Sequence, residues 1–207
     1  MQKKCVIIPN GIQVRNYPSK NNPEYDGRIR IIFLGSLDRW KGIILAINSF
    51  SNLNIEREIE LHIGGDGPLR NYVESCARKN SKIIYHGVIS PENLSDFYSQ
   101  GDIFLYPSLG ETFGLVVLEA IYHGLYVLAG KNLKGNFDDL ENNRYLRYCP
   151  YDLSTLTAYL RDSIENVGNL RKMKSEMKKY VSEKYSWEVI TNRLSDFFVS
   201  IMNENKF

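Results

Sequence analysis

Glu111 stands just ahead of an apolar run, Phe113 to Ile121, and Glu119 lies inside that run as its one charged residue. A carboxylate buried without a partner costs several kcal/mol. Glu119 must therefore either cap a local donor or accept hydrogen bonds from ligand hydroxyls, and a ribose diol suits such an acceptor. Eight positions separate the two residues, about 12 Å along an ideal helix axis. That is too far for an acid/base pair acting on one bond. It is a good spacing for holding opposite ends of one extended ligand. Between them, Phe113, Gly114 and Leu115 would begin a helix whose first N–H groups lack intrahelical partners and whose dipole favours anions. Gly114 lets a ligand approach those groups.

Three other turns carry candidate chemistry. In Leu34-Gly35-Ser36-Leu37-Asp38-Arg39-Trp40-Lys41-Gly42, Gly35 permits close backbone approach. Arg39 and Lys41 place two cations that suit a diphosphate. Taken alone, the same turn also reads as a solvated loop with incidental charge. Gly64-Gly65-Asp66-Gly67-Pro68 demands unusual backbone angles or close approach, for a ligand or simply for a tight turn. His86-Gly87-Val88-Ile89-Ser90-Pro91 offers backbone groups to a nucleobase edge, with His86 read first as a structural histidine.

These turns need elements to hold them. Short apolar runs ending in glycine or a turn predict strands at 30–35, 59–64, 83–87, 103–106 and 125–128, with a sixth at 145–148. Cys5 to Gly11 reads as a further short buried strand. Helical spacing covers 41–53, a helix opened by Pro68 and one opened by Ser90-Pro91, then 113–123. Three charged helices follow, at 153–164, 170–184 and 187–202, the charges of 172–184 read as a solvated face. Alternation of this kind predicts an α/β fold: a Rossmann-like, doubly wound parallel sheet with C-terminal helices. In such sheets ligands bind beyond the carboxyl ends of the strands, where all four turns lie.

Composition excludes other classes. A net charge of +2 over 207 residues gives no reason to propose nucleic acid as partner. Three widely spaced cysteines, Cys5, Cys76 and Cys149, without a C-x-x-C, suggest a reduced, cytoplasmic chain. No apolar run approaches the roughly 20 residues of a membrane span. The abrupt opening at a strand suggests a domain cut from a longer protein near a boundary, with Met1 added or retained.

The motifs, in order, are Pro9-Asn10-Gly11, Lys41-Gly42, Gly65-Asp66-Gly67-Pro68, the segment Pro107-Ser108 through Glu111, Phe113, Gly114, Leu115, Leu118, Glu119 and Ala120, and Tyr185-Ser186-Trp187. Together they resemble the C-terminal, donor-binding domain of retaining glycosyltransferases of GT-B fold, especially glycosyltransferase family 4 (group 1), whose E-x7-E signature Glu111 and Glu119 match. The resemblance covers nearly the whole chain.

The resemblance implies roles. Glu111 and Lys41 become catalytic-site residues, Glu111 on hydroxyls of the transferred sugar and Lys41 neutralising the leaving diphosphate. Gly35, Ser36, Arg39, Gly65, Gly67, Val88, Phe113, Gly114, Leu115 and Glu119 become donor-binding positions, with Val88 at the base and Glu119 on the ribose. The donor would be a UDP- or GDP-linked sugar, with no cofactor and no metal. The acceptor would be a glycan or lipid-linked molecule held by an absent N-terminal domain, in surface polysaccharide assembly at the cytoplasmic face of a membrane. Peripheral membrane association of the full-length protein stays open. The implied organisation is a lead-in strand and loop over 1–27, the nucleotide-sugar domain over 28–184, and over 185–207 a helix crossing to the absent domain. Two departures stand out. Ser36 replaces the family's usual arginine, leaving Arg39 as the substitute, and 131–139 keeps only Gly135 of the usual Gly-Gly turn. Alternative functions are a non-catalytic nucleotide-sugar-binding module, favoured mildly by Ser36, and a sugar-nucleotide epimerase.

Overall fold

Six short segments rich in apolar residues become strands: β1 (Ile29–Leu34), β2 (Ile59–Gly64), β3 (Ile83–Gly87), β4 (Ile103–Tyr106), β5 (Tyr126–Gly130) and β6 (Leu146–Cys149). The computed structural model describes residues 6–14 and 26–204. All strand pairs are parallel and the order is β3-β2-β1-β4-β5-β6, so chain order reverses between β1 and β4. That reversal opens a crevice at the carboxyl ends of the two central strands. Near-continuous runs such as Ile31-Ile32-Phe33, fully buried, follow from helices covering both sides of the sheet.

The helices are α1 (Ile43–Ser51), α2 (Arg70–Lys79), α3 (Leu94–Ser99), α4 (Leu115–Tyr122), α5 (Asp138–Asn142), α6 (Leu153–Glu165), α7 (Val167–Lys172), α8 (Lys174–Tyr185) and α9 (Trp187–Glu204). The Rossmann-like doubly wound fold expected from the sequence is present. Asp152 caps α6 through a 2.7 Å bond from Thr155 N–H.

Several local expectations fail for physical reasons. Residues 6–11 form no strand. Ile7 is 90% exposed, and the contact made instead is a single bridge, Ile12 beside Ser186. Met1 and Cys5 lie outside the described residues. Pro68 sits in a turn two residues ahead of α2 rather than at its first position, because Leu69 N–H is taken by Leu37 carbonyl at 2.8 Å. The single helix expected over 170–184 is two, α7 and α8, meeting at Met173. Its charges are not all solvated: Lys174 reaches Gly101 carbonyl at 2.8 Å and Lys184 reaches Asp139 at 2.8 Å. Asp102, isolated in sequence, is buried against Arg171.

No described helix is long and apolar enough to cross a membrane.

Candidate active site at the carboxyl end of the sheet

The four turns are fastened to one another by main-chain bonds. Leu37 N–H donates to Asp66 carbonyl at 2.9 Å, joining the first turn to the second. Gly65 N–H donates to Gly87 carbonyl at 2.7 Å, joining the second to the third. Trp40 carbonyl accepts from Leu109 N–H at 2.6 Å and Ser108 Oγ at 3.0 Å, joining the first to the fourth. Glycine makes these approaches possible. A Cβ at Gly65 would collide with the carbonyl of Gly35, and a Cβ at Gly67 would press on the backbone of Leu37. The second turn's glycines thus have a packing reason of their own, independent of any ligand. Gly42 starts α1 in the left-handed region (φ 78°), and a Cβ there would collide with Pro107 carbonyl.

This fastening brings Lys41 to Glu111 across 70 residues of chain. Lys41 Nζ lies 2.6 Å from Glu111 Oε2, and Tyr106 hydroxyl donates to the same oxygen at 2.8 Å. Burial alone would raise the Glu111 carboxyl. The hydrogen bonds from Lys41 and Tyr106 outweigh it and hold the group below its ordinary value. Burial, then the facing carboxylate, push the Tyr106 hydroxyl far up, so it remains a donor.

Beneath the loop, Asn136 Nδ2 donates to Thr112 and Phe113 carbonyls at 3.0 and 3.3 Å. Asn132, with its amide turned to satisfy both neighbours, bridges Ser108 carbonyl and Glu111 N–H. Residues 131–139, short of the family's Gly-Gly turn, thereby hold the Glu111 loop with two asparagines. Gly114 (φ 88°) opens α4, and the N–H groups of Phe113, Gly114 and Leu115 make no hydrogen bond among the described residues. They are ready donors at the positive end of a helix. The Phe113 ring turns inward and meets Phe137 edge-on at 5.1 Å.

Glu119, part-buried about one turn along α4, accepts from Tyr98 hydroxyl at 3.0 Å. Burial raises its carboxyl and the Tyr98 bond offsets part of the rise. It lines a cleft of about 310 Å³ with Pro91, Leu94, Ser95, Tyr98 and His123. Tyr98 therefore answers the sequence dilemma in part: it is a local donor, yet the carboxylate still opens to a cleft. Val88 is 72% exposed and lies on a separate cleft of about 500 Å³ with His86, Ser90 and Asn93. His86 also meets a neighbour: its Nε2 lies 3.0 Å from His62 Nδ1, and His62 Nε2 lies 3.2 Å from Glu60. Burial lowers both imidazoles, keeping this pair neutral.

The two departures fare differently. Ser36 is exposed, and its side chain makes no hydrogen bond among the described residues. Arg39 does not pair with Glu111. It lines a cleft with Trp40, Ile44, Leu109 and Tyr151. Tyr98, Tyr106, Asn132 and Asn136 escaped the sequence reading. For Tyr106 a signal existed, because it is the last residue of β4 and so falls at the carboxyl edge. For the others the partner lies 21 or more residues away in the chain. Among the described residues no group of three His, Cys, Asp or Glu is placed to hold a metal ion.

The family model for glycosyl transferases group 1 matches residues 15–184. The phosphatidylinositol N-acetylglucosaminyltransferase gpi3 subunit of Schizosaccharomyces pombe is 29% identical over 98% of this chain and 45% of its own length. The chain spans under half the length of the first relatives it matches. Among solved structures, sucrose-phosphate synthase from Thermosynechococcus elongatus superposes with TM-score 0.76 at 20% identity, over 96% of this chain and 53% of that one. HepE of Anabaena, in complex with UDP-glucose, gives TM-score 0.68 at 17% identity, over 84% and 49%. The sheet order, the matched motifs and the extent of the family match lead to one statement: the chain belongs to the glycosyl transferases group 1 family.

Proposed function

We propose that this chain is the C-terminal, donor-binding half of a retaining GT-B enzyme of glycosyltransferase family 4. It would hold a nucleotide-diphosphate sugar whose hexose-type sugar passes to a glycan or lipid-linked acceptor during surface polysaccharide assembly. The observation that carries this reading is the convergence of Lys41, Glu111 and the unpaired N–H groups of Phe113 to Leu115 at the crevice between β1 and β4.

In this reading the diphosphate sits at the start of α4, where preorganised N–H dipoles and the Lys41 ammonium meet negative charge that grows as the nucleotide leaves. Glu111, held ionised, turns from Lys41 toward hydroxyls of the sugar. Glu119 takes the ribose diol in the cleft beside Tyr98, and Val88 borders the base. No metal is required for this charge balance. Uridine is the first base to test, since a fold neighbour carries UDP-glucose. The acceptor would lie on a second domain, against which the exposed apolar face of α9, including Leu194, Phe198 and Met202, would pack. Without an aligned acceptor the chain alone would bind donor and transfer little.

Calorimetric titration with UDP, GDP and ADP in the absence of metal tests the reading. Selective binding that weakens about tenfold on Glu119→Ala, as loss of a charged hydrogen bond predicts, supports it. Binding of none of the three defeats it.

A further inference from the structure

Asn136 stands in the segment after β5, between the buried residues Leu133 and Phe137. Those two side chains pack against the start of α4. A Cβ on Gly114 would stand 3.2 Å from the Leu133 side chain, and the Phe137 ring meets that of Phe113 at 5.1 Å. The α5 helix, which begins two residues after Asn136, is itself fastened. Its Asp139 accepts from Tyr185 hydroxyl at 2.7 Å, from Lys184 at 2.8 Å and from Tyr180 hydroxyl at 2.9 Å, all three on α8. Asn136 therefore extends its amide from a fixed base.

That amide meets two carbonyls at once. Its Nδ2 donates to Thr112 carbonyl at 3.0 Å and to Phe113 carbonyl at 3.3 Å. Only the NH2 end of an asparagine can serve two acceptors. Each of these carbonyls belongs to a peptide unit whose other pole is the N–H of the next residue, and in a trans peptide the two poles point opposite ways. Drawing the Thr112 and Phe113 oxygens to one side thus turns the Phe113 and Gly114 N–H groups to the other. Neither N–H is taken by the described residues, although Gly114 is buried. Without a brace the orientation would be loose, because a peptide unit beside glycine turns over at small steric cost, and Gly114 already lies at φ 88°. The brace comes from Asn136, a side chain that makes no backbone ladder and caps no helix.

We propose that Asn136 is a positioning residue of the candidate site: by holding the Thr112 and Phe113 carbonyls it aims the Phe113 and Gly114 N–H groups at the diphosphate. The inference rests on the donor-binding reading for the identity of the ligand, while the aim of the two donors can be tested apart from it. A diphosphate arriving there meets donors already turned toward it, and no peptide has to rotate for it to bind.

The test follows backbone amide resonances of the nitrogen-15-labelled chain during titration with inorganic pyrophosphate at low salt. In the parent, pyrophosphate should shift the Phe113 and Gly114 amides. Asn136→Ala should move both resonances before any ligand is added, and should weaken pyrophosphate about tenfold, as the weakening of a charge-assisted hydrogen bond predicts. Asn136→Asp keeps the shape of the side chain but sets a carboxylate oxygen against the two carbonyls, and should lose at least as much. A dispersed amide spectrum checks that each variant is folded. Asn80 holds Lys82 N–H at 3.0 Å at the amino end of β3, so Asn80→Ala removes a backbone-holding asparagine far from the site and should bind pyrophosphate as the parent does. Pyrophosphate that leaves the Phe113 and Gly114 amides of the parent unmoved overturns the proposal. So does full affinity in the two Asn136 variants, or an equal loss in Asn80→Ala, which would make the effect one of general stability. UDP titrated on the same samples reads the donor-binding idea separately: pyrophosphate bound through Asn136 without any binding of UDP, GDP or ADP would defeat that idea and support this one.

Discussion

At the amino end of the sheet, Asp102 accepts from Arg171 Nε and Nη2, each at 2.7 Å, and from Arg30 N–H at 3.2 Å, with Lys174 at 3.5 Å. At the carboxyl end, Glu111 accepts Lys41 at 2.6 Å and Tyr106 at 2.8 Å on one oxygen, and its other oxygen receives no side-chain donor among the described residues. The side chain of Asp102 is 6% exposed and that of Glu111 19%. Both are carboxylates meeting cations brought from far along the chain. What differs is saturation. Asp102 has partners on both oxygens and almost no access, so it can only hold α7 and α8 against the starts of β1 and β4. Glu111 keeps acceptor capacity and more access, as the proposed donor site requires. The contrast teaches that an ion pair marks a site only when it is left incomplete.

Four experiments can break or sharpen this contrast. The largest effect is expected at the saturated end. Asp102→Asn removes the buried charge that Arg171 and Lys174 meet and should cost about 3–5 kcal/mol in urea unfolding, with UDP affinity unchanged. A loss under about 1 kcal/mol, the range of exposed pairs, would dissolve the distinction. Next is Gly42→Ala, which forces a left-handed alanine against Pro107 carbonyl. About 2 kcal/mol of stability should go, and UDP binding should weaken because the Glu111 loop is displaced. Unaltered UDP binding would show that the loops tolerate separation.

Glu111→Gln should act oppositely to Asp102→Asn. Stability should fall by under about 1 kcal/mol, as for part-exposed pairs. UDP should bind about threefold tighter, because a carboxylate near the diphosphate is gone and Lys41 is released. Weaker UDP binding would mean that Glu111 and Lys41 cooperate before the sugar arrives. The smallest effect is a pH dependence. Burial first, then Lys178, lowers His123 from about 6.5 to about 4. A histidine held neutral in the fold favours protonation of the unfolded chain, so stability is full above pH 6.5 and declines as pH falls toward 4. His62 and His86 act in the same direction. Melting temperatures across that window should slope less in His123→Gln than in the parent.

What the sequence could and could not disclose follows from where each signal resides. The strands were legible because burial on both faces writes an unbroken apolar run, as in Ile31-Ile32-Phe33. The carboxyl-edge turns were legible because glycines cluster there. Glu119 was conspicuous for being charged among apolar neighbours. By contrast, Asp102 beside Arg171, Tyr98 beside Glu119 and His62 beside His86 depend on strand order and crossovers that no local pattern records. Residues 131–139 read as a loop with a defective glycine turn, yet the structure forms a short helical turn there and α5, and uses Asn132 and Asn136 as struts. Cys5 to Gly11 misled for a complementary reason. Apolar residues over a few positions signal burial, yet Val6 and Ile7 are exposed in this domain.

One small contact has a mechanical consequence. Ile12 N–H donates to Tyr185 carbonyl at 2.8 Å, Trp187 N–H donates to Ile12 carbonyl at 3.1 Å, and Gly11 lies against the Trp187 ring. The segment before β1 and the segment after α8 therefore pass through the same spot. A body hung from two cords at one point can swivel without wringing its interior, and a pull along the cords is borne by that knot rather than by the sheet.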